Sequence, residues 1–345
     1  MTSPDKIDVS IFIISYNTRE MTLEAISSAV RETKDVSYEI IVVDNASTDG
    51  SAEAIAAHPA RPRLIALNEN IGFGRANNLA GEHASGSYVL LLNPDTVVRD
   101  RAIDRLVAFA KANPNALIWG GRTLFLDGSL NPASCWQRIT PWNLFTRITG
   151  LTGIFPDSPL FNPESYGGWQ RDTERVVDIV SGCFLLIPRP LWLALGGFDP
   201  AFFMYGEEAD LCLRARRIGA RPMVTPEATI VHYGGASEKT RTGKVCRLLK
   251  DKATLIDRHW LPGTVEIGQF LLMLWPLTRW IAHEAATRFK GDASHHRESA
   301  DTWHAIWADR DNWRFGYPKP NLTAAERDAQ KPILPASRLA PEGTR

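Results

Sequence analysis

The first 110 residues repeat one pattern: a short apolar run, a polar cluster, then apolar residues at helical spacing. Val9-Ser10-Ile11-Phe12-Ile13-Ile14 ends at Ser15-Tyr16-Asn17, and Tyr38 to Val43 ends at Asp44-Asn45-Ala46-Ser47-Thr48-Asp49-Gly50-Ser51. Leu64 to Leu67 gives way to Asn68-Glu69-Asn70-Ile71-Gly72-Phe73-Gly74-Arg75-Ala76-Asn77-Asn78. Tyr88-Val89-Leu90-Leu91-Leu92 is stopped by Asn93-Pro94-Asp95, because proline cannot donate to a ladder. Short apolar runs bounded by turn residues read as buried strands. Leu23, Ile26 and Val30 recur near the helical period with Thr18 placed as a cap, and Ala102 to Ala110 reads as a further helix. The alternation predicts an α/β fold with a mostly parallel nucleotide-binding sheet of right-handed βαβ units flanked by helices.

The polar clusters then converge along the carboxyl edge of the sheet, where open α/β folds bind ligands. Asp44 there either accepts hydrogen bonds from a nucleobase or ribose, or forms an Asx-turn. Asp95 either holds a divalent cation carrying phosphate oxygens or caps a turn. Gly72-Phe73-Gly74 would let the backbone approach a diphosphate. It follows the third strand and lacks a third glycine, which excludes a dinucleotide fingerprint, and no GxxxxGK[ST] run is present.

Periodicity weakens after residue 120. Residues 121–175 are rich in Pro, Gly and aromatics, among them Trp136, Trp142, Phe145, Phe155, Phe161, Tyr166 and Trp169. They form either an acceptor-binding insertion or a satellite cluster beneath long loops, and the second reading is preferred for most of them. Asp178 to Pro188 reads as a strand pair or bulged strand, with Gly182 permitting close approach. Leu211, Arg214, Ala215 and Ile218 have helical spacing, Gly219 ends the helix, and Glu207, Glu208 and Asp210 crowd its first turn. Asp210 and Arg214 are spaced to pair. A further short strand leads to His232. In residues 265–282 only Phe270 to Leu277 runs uninterrupted, against the ~20 apolar residues of a membrane span. Trp275, Arg279, Trp280, Arg288 and Lys290 suit a helix lying in a membrane interface, and a core or homodimer contact is the alternative. Residues 317–345 read as a disordered tail.

Composition narrows the class. At 345 residues, 44% hydrophobic and 23% charged, the chain is globular. Lys+Arg and Asp+Glu both number 39, which argues against a nucleic-acid partner recruited by net charge. Cys135, Cys183, Cys212 and Cys246 form no CxxC pair and read as reduced thiols. With no signal peptide visible in Met1 to Asp8, the expected location is cytoplasmic, or peripheral on the inner face of the membrane.

The set Ser15-Tyr16-Asn17, Asp44 to Ser51, Asn70-Ile71-Gly72-Phe73-Gly74 and Asn93-Pro94-Asp95, in this order and spacing, resembles the family 2 glycosyltransferases. It is most similar to their bacterial rhamnosyltransferase-like branch. The resemblance covers roughly residues 8 to 260. It implies an A-type glycosyltransferase fold, a nucleotide-sugar donor, Mn²⁺ or Mg²⁺ as cofactor, and inversion at the anomeric carbon. The implied donor site comprises Ser15, Tyr16, Asn17, Asp44, Asn45, Asn70, Gly72, Phe73, Gly74, Asn78, Asn93 and Asp95. Asn93-Pro94-Asp95 stands where the family has its DxD, which leaves Asp95 as the direct metal ligand and His232 as the second. Glu207-Glu208 stands at the family's Glu-Asp pair, so Glu208 is the implied base and Glu207 orients the acceptor. Lys239, Arg241, Lys244 and Arg247 either close over the diphosphate or form a solvated loop.

The domain expectation is a catalytic domain over 8–260, with a nucleotide-sugar half to 120 and an acceptor half after it, followed by a helical extension over 261–316. The expected reaction transfers a sugar, best L-rhamnose from a dTDP donor, to a saccharide or polyprenyl-diphosphate-linked saccharide in surface-polysaccharide synthesis. A UDP-sugar enzyme of the same fold and a non-catalytic sugar-binding relative are the alternatives. A nucleotidyltransferase would want glycine in the loop after the first strand, and Ser15 to Arg19 has none.

Overall fold

Residues 7–234, 241–289 and 293–318 are described by a computed structural model. Lys239, Lys290 and all but the first two residues of the expected tail lie outside them, as does the Arg241 side chain. In chain order the elements are β1 (Val9–Ser15), α1 (Arg19–Glu32), β2 (Tyr38–Asp44), α2 (Ser51–Ala56), β3 (Arg63–Ala66), α3 (Phe73–Glu82), β4 (Tyr88–Leu92), β5 (Thr96–Val98), α4 (Ala102–Ala112), β6 (Trp119–Leu124) and β7 (Cys135–Trp136). They continue with α5 (Pro141–Thr149), α6 (Leu151–Ile154), β8 (Arg175–Val176), β9 (Ile179–Val180), β10 (Phe184–Pro188), α7 (Arg189–Ala194), α8 (Glu207–Arg217), β11 (Met223–His232), α9 (Arg241–His259), α10 (Val265–Phe289), α11 (Ala293–Ala308) and α12 (Arg310–Trp313).

The chain divides into two units. The first takes residues 7–136 and 170–234 of those described. Its sheet has nine strands in the order β3-β2-β1-β4-β10-β6-β11-β5, with β8 beside β11, while β7 and β9 pair separately. β1, β2, β3 and β4 run parallel, as their alternation with helices predicts. The later strands make the sheet mixed, because β10 is antiparallel to both β4 and β6. Every residue of β1 and β4 is buried, which is why β4 reads as an unbroken run and β1 is apolar but for Ser10 and Ser15. Ser15 of β1 lies opposite Asp44 of β2, and Asp44 opposite Ala66 of β3, so three carboxyl ends finish level.

Thr18 does not cap α1 with its side chain. Its hydroxyl lies 3.1 Å from that of Thr22, and the amide of Arg19 donates instead to Asp49 across the loop after β2. A tertiary cap has replaced the local one. The expected Asp210–Arg214 pair is present at 2.6 Å, and Arg214 also donates to the carbonyls of Leu195 and Gly197.

The second unit takes residues 137–169, 241–289 and 293–318 of those described. Its core gathers Leu144, Leu249, Ala253, Ile256, Leu272, Ile306 and Trp313. Glu164 accepts hydrogen bonds from Arg147 and Lys252, and this pair of cations overcomes burial to hold its carboxyl down to about 2. Trp142, Phe145 and Phe155 are 42–46% exposed, so they do not belong to the buried cluster expected of this segment. α10 continues through Pro276 for 25 residues. Among the described residues no helix is long and apolar enough to cross a membrane.

Candidate active site

The loops after β1, β2 and β3 are tied to one another by asparagines. Asn17, at φ 52°, accepts from the amide of Thr48 and donates its own amide to the Ser47 hydroxyl. Asn45 donates to the Asn70 side chain and accepts from the amide of Ile71, while Asn70 also accepts from Gly72. Asn78 clamps Phe198 with two hydrogen bonds of 2.7 and 2.8 Å. Ser15 is fully buried, and its hydroxyl accepts from Thr22. These polar side chains hold the loops, whereas Tyr16 is 38% exposed.

Asp44 differs from them. One carboxylate oxygen accepts from the Ser47 amide at 3.0 Å, which is the Asx-turn. The other, Oδ1, is buried without any hydrogen-bond partner. A buried acceptor left unmatched is costly, about 1–3 kcal/mol or more for a charged group, and is the kind of group a ligand donor satisfies.

Gly72 is required by its surroundings. Its φ is +88°, and an added Cβ would lie 2.5 Å from the carbonyl oxygen of Phe203. The amide of Phe73 donates to that same carbonyl. At Gly74 the added Cβ would meet Phe198 at 3.4 Å and Glu207 at 3.8 Å. Both glycines thus admit the chain's own backbone and the start of α8 to the loop preceding α3.

Asp95 and His232 come together although 137 residues separate them. Asp95 follows β4 and His232 ends β11, and β11 pairs with β5 just beyond Asp95. His232 Nε2 lies 3.3 Å from Asp95 Oδ1 and 3.4 Å from the Asn93 amide nitrogen. Gly234 N–H donates to Asp95 Oδ2. Burial drives the Asp95 carboxyl up, but contacts with His232 and the Gly234 amide outweigh it and leave it low. Burial likewise opposes charge on His232, and its neighbours Cys183 and Asp95 push it up to about 10. Cys183 and Asn131, which donates to the His232 carbonyl, were not singled out by sequence. Only a strand register reveals them.

α8 begins at Gly206, which has φ 80°, and opens with the two glutamates. Glu207 is buried at 3% exposure and its carboxyl is held well above the usual range by burial and by Glu208. Burial pushes Glu208 up to about 6, against hydrogen bonds from the backbone of Glu208, Gly182 and Ala209. The Oε2 atoms of both glutamates lack partners. A Cβ on Gly182 would lie 3.6 Å from the Phe73 ring and 3.7 Å from Glu208 Cβ. The Cys183 carbonyl in turn accepts from the Asn93 amide at 3.1 Å. The turn Ser181–Cys183 therefore joins the acid pair on one side to Asn93, Asp95 and His232 on the other.

Among the described residues no group of three or more His, Cys, Asp or Glu side chains is arranged to hold a metal ion. The pair that is present still suits one. A carboxylate and an imidazole leave the remaining positions of a divalent cation to water and phosphate oxygens, and a cation bound there would displace the proton that His232 holds against Asp95. An open groove of about 570 Å³ lined by Arg19, Ser47, Thr48, Gly50, Glu53 and Ala54 borders the loop after β2, beside these residues rather than over them.

The carboxyl edge of the sheet thus carries an unmatched carboxylate and an Asp–His pair, and α8 adds a glutamate whose carboxyl burial pushes up. Residues 10–187 match the family model described as Glycosyl transferase family 2, and the chain belongs to that family. It is 27% identical over 241 residues to the O-antigen biosynthesis protein RfbC of Myxococcus xanthus, covering 67% of this chain and 18% of that one. It is 29% identical over 209 residues to the N-acetylglucosaminyl-diphospho-decaprenol L-rhamnosyltransferase of Mycobacterium tuberculosis, covering 56% of this chain and 66% of that one. The chain thus spans less than two thirds of either relative. Among solved structures, the mannosyltransferase PcManGT of Pyrobaculum calidifontis, in complex with GDP-Man and Mn²⁺, shares the fold. Its TM-score is 0.54 at 17% identity, with 90% of this chain and 91% of that one covered.

Proposed function

We propose that this glycosyltransferase is metal-dependent and inverting, and moves L-rhamnose from dTDP-rhamnose to a lipid-linked saccharide such as N-acetylglucosaminyl diphosphate on a polyprenol. The observation that carries the reading is the meeting of the Asp95–His232 pair and Glu208 at the Ser181–Cys183 turn. The name of the mycobacterial relative supports the sugar and the acceptor class.

Asp44 Oδ1 is offered to a donor group of the nucleoside, because burial leaves it no other partner. Asp95 and His232 would hold the cation, which supplies positive charge to the departing diphosphate. Glu208 takes the proton of the attacking hydroxyl. It is more exposed than Glu207, and the Gly182 backbone fixes its carboxylate from the side of the turn. Glu207, buried and bonded to the Tyr205 backbone, is fixed at the start of α8, and its unpartnered Oε2 is left to orient the acceptor. A single displacement by the acceptor oxygen inverts the anomeric carbon, and no protein nucleophile is needed.

The test is thermal unfolding with dTDP-rhamnose, with and without Mn²⁺. A ligand that binds only the native state raises Tm by linkage. The expected result is a Tm increase that requires both components and is lost in Asp95→Ala. An equal increase without metal, or in Asp95→Ala, overturns the metal role. No shift with dTDP-rhamnose, against a clear one with a UDP-sugar, overturns the donor.

A further inference from the structure

Phe202 and Phe203 are adjacent in sequence and opposite in environment. Phe202 is fully buried, as is Phe198, whereas Phe203 is 41% exposed. Phe203 is nonetheless held in place. Its carbonyl accepts the Phe73 amide at 2.9 Å, and a Cβ on Gly72 would lie 2.9 Å from its ring Cδ2. The ring is thus lodged on a residue that has no side chain, with part of its surface left in water. Only three residues separate it from Glu207. Its support Gly72 adjoins Phe73, whose ring faces Gly182 beside Glu208.

Part-exposed aromatic rings are ordinary on a protein surface, but this one is anchored through its backbone to the loop before α3 and lies in the turn that leads directly into α8, unlike the buried Phe202 beside it. An anchored aromatic face in the turn that leads into the acid pair suits a partner with one apolar, weakly positive face and polar edges. The C–H face of a pyranose ring has that character, and the negative face of the aromatic ring attracts it. The chemistry proposed for the site brings a saccharide hydroxyl to Glu208, so the sugar bearing that hydroxyl must approach the start of α8, into which the Phe203 turn leads.

We infer that the ring of Phe203 is the platform on which the acceptor saccharide stacks while its hydroxyl is presented to Glu208. This rests on the function proposed above and adds the element that selects a sugar acceptor. Loss of a stacked ring costs about tenfold in affinity.

The experiment measures transfer from dTDP-rhamnose to N-acetylglucosaminyl diphosphate on a short prenyl chain, in Phe203→Leu and Phe203→Trp. Donor-dependent Tm shifts are recorded on the same samples. The expected result for Phe203→Leu is an acceptor KM raised about tenfold, with kcat and the donor-dependent Tm shift close to wild type. Phe203→Trp restores the KM. An acceptor KM in Phe203→Leu equal to that of the wild type overturns the platform, as does a parallel loss of kcat and of the Tm shift, which would mark Phe203 as a structural support. The donor-dependent shift of the wild type reports separately on the function itself, so failure of that reading is distinguishable from failure of this one.

Discussion

Replacing Glu208 with glutamine tests base catalysis and burial in one variant. Glutamine keeps the shape and the hydrogen-bonding reach but cannot accept a proton. Transfer should fall by about 10²–10⁴-fold, the usual contribution of a general base. In the wild type kcat/KM should decline below about pH 6, where Glu208 becomes protonated. The same shift has a stability consequence. The folded state holds this proton more tightly than the unfolded chain, whose carboxyl titrates near 4.5. Stability is therefore complete below pH 4.5 and lost as pH rises through about 6. The interval converts to about 2 kcal/mol of destabilisation at pH 8. Glu208→Gln removes it, so the inactive variant should be more stable than wild type at pH 8 and lose that advantage at pH 4. Thermal or urea unfolding at the two pH values, beside a transfer assay, measures both effects. Near-wild-type turnover in Glu208→Gln refutes the base. A stability difference that does not change between pH 4 and pH 8 refutes the burial argument.

Two further predictions concern the framework. Gly72→Ala should destabilise the protein by about 1–3 kcal/mol, because φ is +88° and the added carbon meets the Phe203 carbonyl at 2.5 Å; a change under about 0.5 kcal/mol by urea unfolding would contradict it. Glu164→Gln leaves Arg147 and Lys252 without their counter-charge and should cost about 3–5 kcal/mol. Since the folded carboxyl is held down to about 2, its contribution is full above pH 4.5 and lost as pH falls towards 2. The stability gap between variant and wild type should therefore narrow in acid, and a gap unchanged from pH 7 to pH 2.5 would argue against the ion cluster.

Much of the first unit was legible along the chain. The four apolar runs became β1 to β4, and α1 and α4 fell where periodicity placed them, whereas α2 was not foreseen and α3 begins at Phe73, inside the polar cluster after β3. Those signals are local, since a strand buried on both faces must be apolar throughout. The second half was less legible. The sequence left Asp178 to Pro188 open between a strand pair and a bulged strand, and the antiparallel placement of β10 between β4 and β6 came only with the structure. Pro276 interrupts a hydropathy count but not α10. The cap of α1 was misplaced because Asp49, distant in sequence, competes with Thr18 for the first-turn amides.

The sequence by itself determined the residue types at the carboxyl edge, because strand ends and turn-forming clusters are written in neighbouring positions. It also supplied the acids of α8, whose place in the first helical turn follows from spacing. The tertiary structure alone decided which of these groups have work left to do. Asn17, Asn45 and Asn70 bond one another's loops and Asn78 bonds the Phe198 backbone, while Asp44 Oδ1 and Glu208 Oε2 have no partner. The juxtaposition of Asp95 with His232, and of His232 with Cys183, depends on β10 and β11 joining a sheet begun by β1 to β4. Hydrogen-bond satisfaction and burial are properties of neighbours in space, and a linear pattern of apolar and polar residues carries them only where those neighbours are also close in the chain.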